Sequence, residues 1–219
     1  MEPIVIAGGI AGLAWGAVAD RIAARWPAHE DGGVRAVDWR TAAVALAGGL
    51  SGGLLADRFA ADVAADPAAL AFVAPIVVAL VLLFATDLDQ RLLPDVVTFP
   101  LAGWAVVGFV AGAGPFVRTP DELLWAAVAG IGLPAALYLV SIPFGAGAIG
   151  VGDLKLLFGV ALLAGAPRVL ATVAGGAIAG AVVIAILIAA RRITLRSYVP
   201  YGPFLIAGAL WAMLGSRIA

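Results

Sequence analysis

The chain has no cysteine, a single histidine and few charges, and each shortage closes off a class of chemistry. Without cysteine there is no disulfide, no thiolate metal site and no thiol nucleophile. The one imidazole, His29, stands in a polar loop beside Glu30 and Asp31, where the expectation is a solvated surface residue. Charged residues make up 12% of the 219 positions and nearly cancel, 13 Lys and Arg against 14 Asp and Glu, so no basic stripe is available for nucleic acid. Neither a metal nor a cofactor is expected.

What the chain has in abundance is apolar surface. Hydrophobic residues make up 63% of it, and the mean hydropathy of +1.09 lies outside the range of soluble domains. Eight apolar runs can be read, at about 3–19, 41–56, 67–86, 96–114, 122–144, 154–166, 169–190 and 201–214. At roughly 20 residues per bilayer crossing they predict an all-α, polytopic transmembrane helical bundle of about eight helices. Glu2 precedes the first run, where a cleaved signal peptide carries basic residues, so a retained helix with its N-terminus outside is expected. The polar stretch 20–40 reads as a solvated linker. Thr119-Pro120-Asp121-Glu122 is a helix-start signal with Thr119 as N-cap. The run 154–166 is short enough for a re-entrant segment. If it spans, nine Lys and Arg fall on one face and four on the other, against eight and five otherwise, which favours a span and puts Arg91 and Lys155 inside.

Carboxylates at the hydrocarbon boundary are costly, and here they cluster. Asp87, Asp89 and Asp95 lie in the stretch 85–95, which closes the third run; Asp153 lies in Gly150-Val151-Gly152-Asp153-Leu154-Lys155, which opens the sixth. Taken singly, the first group reads as a polar helix stop and the second as a loop ending in an Asp cap. Two intervening spans return the chain to the same membrane face, so Asp153 and the first group suggest one site. Facing carboxylates at close range share a proton, and such a pair can activate water and protonate a leaving amine. A small proton-coupled transporter, using the same acids as proton carriers, is the alternative, although matching broken half-repeats are not evident. A non-catalytic scaffold is a third.

Three segments resemble the prepilin peptidases, or type IV leader peptidases. Asp87 followed by Leu93-Pro94-Asp95 resembles their first aspartate motif. The run from Gly150 to Leu157 resembles their Gly-x-Gly-Asp motif, and Val199-Pro200-Tyr201-Gly202-Pro203-Phe204-Leu205 is similar to their near-terminal segment. The resemblance implies two N-terminal helices (1–66) ahead of a six-helix aspartic peptidase core (67–219). It implies cleavage of a short charged leader from prepilin-like precursors at the cytoplasmic face of the inner membrane, with Asp87 and Asp153 catalytic. Asp89, Pro94, Asp95, Gly150, Gly152 and Lys155 are implied as motif support; Asp89 would tune Asp87 or be solvated at the helix end, and Lys155 would ease the charge near Asp153. Many members carry a cysteine-rich insert after the first helix and are associated with methylating the new N-terminus. The corresponding loop here, 23–40, has no cysteine, which excludes a thiolate zinc site there and puts methyl transfer in doubt.

Overall fold

A computed structural model of the chain describes residues 2–29, 32–59, 67–144, 149–194, 199 and 201–215. Those residues form eight α-helices: α1 (Pro3–Ala23), α2 (Trp39–Phe59), α3 (Pro67–Gln90), α4 (Asp95–Val110), α5 (Pro120–Ser141), α6 (Val151–Ala164), α7 (Ala166–Ala189) and α8 (Gly202–Leu210), which runs on into a π turn, Trp211–Gly215. With no water to satisfy backbone groups, apolar runs in lipid have little choice but helix. The chain is accordingly a multi-pass helical membrane protein, with α1, α3, α5 and α7 long and apolar enough to cross a bilayer. The helix α5 begins as its sequence indicates: Thr119 Oγ1 accepts from the Glu122 amide at 3.2 Å, and the Glu122 carboxylate accepts from the Thr119 amide at 3.1 Å.

Long helices alternate with short ones in the second half of the chain. At about 1.5 Å per residue α4, α6 and α8 rise only about 14–24 Å, whereas the hydrocarbon core is about 30 Å thick. The short helices all begin at the same place, beside the end of α3. That helix is the centre of the bundle: half of its most apolar stretch is buried inside the protein, against 17% for α1, α5 and α7. Phe72, Val73, Ile76, Leu80, Val81 and Leu83 supply its buried face. Around it α4, α6, α5, α7 and α8 follow one another by contact, and α8 returns to α3. Trp104 of α4 stacks on Phe72 with ring centroids 6.0 Å apart and donates to its carbonyl at 3.0 Å. Between α6 and α7 the chain turns at Gly165, whose φ of 85° is open to glycine at little cost.

The first two helices form a hairpin held by a glycine seam. Gly8, Gly12 and Gly16 of α1 lie against Gly48, Gly52 and Val44 of α2 so closely that a Cβ at Gly12 would collide with the Gly48 carbonyl. Such a seam substitutes backbone proximity for the hydrophobic drive that lipid does not provide. The hairpin packs on α3, and its connecting loop is not the solvated linker expected. Arg35 reaches down to ion-pair with Asp20 and Asp89, and at 2.6 Å with Asp38. His29 is likewise not an isolated surface residue, since its Nε2 lies 3.0 Å from Asp89. The physical reason is the two acids: the side chains of Asp20 and Asp89 are 1% and 2% exposed, and Arg35 and His29 of the loop join Arg21 of α1 and Arg40 of α2 in meeting them. Glu30 and Asp31 lie outside the described residues.

Candidate active site

One helix C-terminus and three helix N-termini meet at a cleft of about 260 Å³ lined by residues of α3, α4, α6 and α8. Asp87 comes from the last turn of α3 and is 5% exposed; Asp153 comes from the first turn of α6 and is 8% exposed. They converge on the first residue of α8. A Cβ built on Gly202 would stand 2.7 Å from Asp87 Cγ and 2.9 Å from Asp153 Oδ1. Two acids 66 residues apart in sequence thus flank a single point, and glycine is the residue that leaves the point open.

The local sequence explains how each acid gets there. The helix α3 ends at Arg91, a non-glycine residue at φ 57°, and the reversal sends Leu92–Leu93 back across the cleft. That left-handed turn costs a non-glycine residue about 1 kcal/mol, and such outliers gather at functional sites. Pro94, the N-cap of α4 at φ −61°, starts the next helix at once. The cap of α6 is Gly150 rather than Asp153, which sits one turn further in with its amide donating to the Gly150 carbonyl at 3.0 Å. Asp153 is therefore not the capping residue expected from its position before an apolar run; its carboxylate is directed to the cleft. Gly152 permits the crossing of α6 and the α3–α4 loop, because a Cβ there would press on Leu93 Cβ at 3.1 Å. The N-termini of α4, α6 and α8 bring partial positive charge to the two carboxylates.

The remaining motif residues divide. Lys155 does not serve Asp153: its Nζ donates to both oxygens of Asp95 at 2.8 Å, tying the start of α6 to the start of α4. Asp89 neither joins the cleft nor meets solvent. It is drawn into the charge cluster with Arg35, at 2.7 Å, and with Arg40, at 3.1 Å. Thr41 completes the cluster by donating to Asp20 at 2.7 Å. Burial works against the Arg35 charge, but the hydrogen bond to Asp20 and the charges of Asp20, Asp89 and Asp38 outweigh it and hold the guanidinium above its ordinary value. Pro200 of the near-terminal segment lies outside the described residues.

Sequence reasoning missed three participants. Gly202 was part of a recognisable segment but had no role until its neighbours were known. Tyr201 lines the same cleft as the two acids. Asp20 was legible by the rule that singled out Asp87, being an acid at the end of an apolar run. Chemically, the cleft can do what a pair of neighbouring carboxyl groups does. One Asp87 oxygen, Oδ2, is buried without a hydrogen-bond partner among the described residues.

The model of the type IV leader peptidase family matches residues 74–185. A prepilin leader peptidase/N-methyltransferase of Pseudomonas aeruginosa is 31% identical over 134 residues, covering 60% of this chain and 45% of the relative. Similar proteins of the same description occur in Pseudomonas putida, 30% identical over 66% of this chain and 50% of the relative, and in Xanthomonas campestris, 32% identical over 59% and 45%. The chain spans about half the length of the curated relatives it matches. No solved structure matches it.

Proposed function

The chain belongs to the type IV leader peptidase family, and from that premise we propose that it is a membrane aspartic endopeptidase removing the leader peptide from type IV prepilin-like precursors. The observation that carries the reading is the convergence of Asp87 and Asp153 on the open point at Gly202. In this mechanism one carboxyl is protonated and the other ionised. The ionised group takes a proton from a water held between them, the water oxygen attacks the scissile carbonyl, and the protonated group polarises that carbonyl. Collapse of the tetrahedral intermediate breaks the C–N bond as a carboxyl proton passes to the leaving amine. The chain supplies both acid and base from Asp87 and Asp153.

The excess of Lys and Arg on the face that carries Arg91 and Lys155 supports a cytoplasmic cleft in the inner membrane. On this reading α3–α8 form the catalytic core and α1–α2 an accessory hairpin clasped to it. Methyl transfer is not part of the proposal, because the loop 23–40 has no cysteine. The test is cleavage of a type IV prepilin by wild type, Asp87→Asn and Asp153→Asn at matched membrane levels. Each Asn keeps the shape and removes a proton-transfer group, so each single change abolishes shortening of the precursor. Full activity of Asp153→Asn would reject the assignment.

A further inference from the structure

Asp87 lies in the last turn of α3, where helix carbonyls run out of intrahelical amides and turns loosen first. No hydrogen bond from the described residues fixes its Oδ2, so that oxygen stands where the backbone of the turn puts it. Two carboxyl groups at close range also repel whenever both are ionised, which pushes this turn away from Asp153. The restraint that opposes the push lies outside the cleft.

The α1–α2 hairpin and its loop supply it through the two residues that follow Leu88. Asp89 Oδ1 is 2.7 Å from Arg35 Nε and 3.1 Å from Arg40 Nη1, and its Oδ2 is 3.0 Å from His29 Nε2. Gln90 Nε2 donates to the carbonyl of Pro27 at 2.7 Å and to that of Ala23 at 3.3 Å. Neither Asp89 nor Gln90 lines the cleft. The other ends of these contacts are anchored in turn, since Arg35 also pairs with Asp20 of α1, and Ala23 and Ala24 are fully buried. Asp89 and Gln90 share a helical turn with Asp87, so any rotation of that turn moves all three together. We propose that Gln90 and Arg35 are positioning residues for the reaction: by pinning the last turn of α3 to the α1–α2 loop, they fix its rotation and hold the Asp87 carboxyl toward Asp153 and the open point at Gly202. The inference rests on the peptidase reading and gives the loop a part in it.

The test separates positioning from plain stability. Gln90→Met keeps the length of the side chain and removes the donor, while every charge around Asp89 stays. Its control is Trp104→Phe, which removes a hydrogen bond to α3 at Phe72, about 22 Å along the helix from Asp87. Both changes delete neutral hydrogen bonds, so Tm falls by only a few degrees in each. Arg35→Lys keeps the charge, but an ammonium group cannot hold Asp20, Asp38 and Asp89 together as the guanidinium does. Initial rates of type IV prepilin cleavage are measured in detergent for these variants and wild type over a range of precursor concentrations. A misplacement of about 1 Å at reacting groups costs on the order of 100-fold; with the ion pairs of Asp89 still in place, Gln90→Met is expected to lose about ten-fold in kcat at nearly unchanged KM. Arg35→Lys should lose a similar factor, and Trp104→Phe should keep wild-type turnover. Wild-type kcat in both Gln90→Met and Arg35→Lys, an equal loss in Trp104→Phe, or a raised KM at unchanged kcat, as a substrate contact gives, overturns the inference while wild type still cleaves the prepilin. If wild type does not cleave it, the peptidase reading fails and the inference falls with it.

Discussion

Replacing Gly202 by alanine puts one methyl group between the two acids. It would stand 2.7 Å from Asp87 Cγ and 2.9 Å from Asp153 Oδ1, whereas unbonded heavy atoms settle at about 3.5–4.0 Å. The overlap is therefore on the order of 1 Å. Gly202 is the first residue of α8 and has no positive φ, so backbone strain does not oppose the change. Helix propensity even favours alanine by up to about 1 kcal/mol, against about 1–3 kcal/mol for overpacking. The net destabilisation is thus at most about 3 kcal/mol, a loss of up to about 10 °C in Tm for a chain of this size. Chemistry tolerates less: a displacement of about 1 Å at reacting groups costs on the order of 100-fold in rate. The assay is the initial rate of prepilin cleavage by detergent-solubilised protein at equal concentration, with Tm measured alongside. Gly202→Ala is expected to lose about 100-fold in kcat while remaining folded. Wild-type turnover would show that the carboxyl groups do not face each other across this position.

Asp89→Asn removes the charge that Arg35, Arg40 and His29 surround; breaking a buried ion cluster from one side costs about 3–5 kcal/mol, so a large fall in Tm is expected, and an unchanged Tm would dissolve the clasp. Asp95→Asn cuts only a pair whose side chains are 54% and 34% exposed, worth about 0–1 kcal/mol, and cleavage should persist within a few-fold of wild type; complete loss would move Asp95 into the chemistry. Membrane orientation is read with single cysteines and an impermeant thiol reagent on sealed cells. Cysteine at Val37, which is 72% exposed, or at Arg192 is expected to be protected, and at Ala111 to be labelled; labelling at 37 or 192 from outside reverses the topology. Position 29 is a poor probe, because the side chain there is tucked against Asp89.

The helical architecture was legible in the sequence because the bilayer leaves an apolar run few alternatives. All eight runs became helices, and their ends moved by only a few residues where a cap or a turn decided. The third run continues through Asp87 and Asp89 to Gln90, and the fourth stops at Val110. The candidate acids were legible too, since a carboxylate at the hydrocarbon boundary stands out by its cost alone. Their partners were not. Asp87 and Asp89 are two residues apart, which on a helix of 3.6 residues per turn means about 200° around the axis. One therefore faces α6 and α8, and the other faces the loop between α1 and α2. Nothing in Asp-Leu-Asp says which is which, because the choice depends on where neighbouring helices pack. The same holds for Gly202, Arg35 and Lys155, each of which meets an acid 49 to 115 positions away. Local sequence determines that a helix forms and where an acid sits along it. Only packing against the other helices decides what that acid meets.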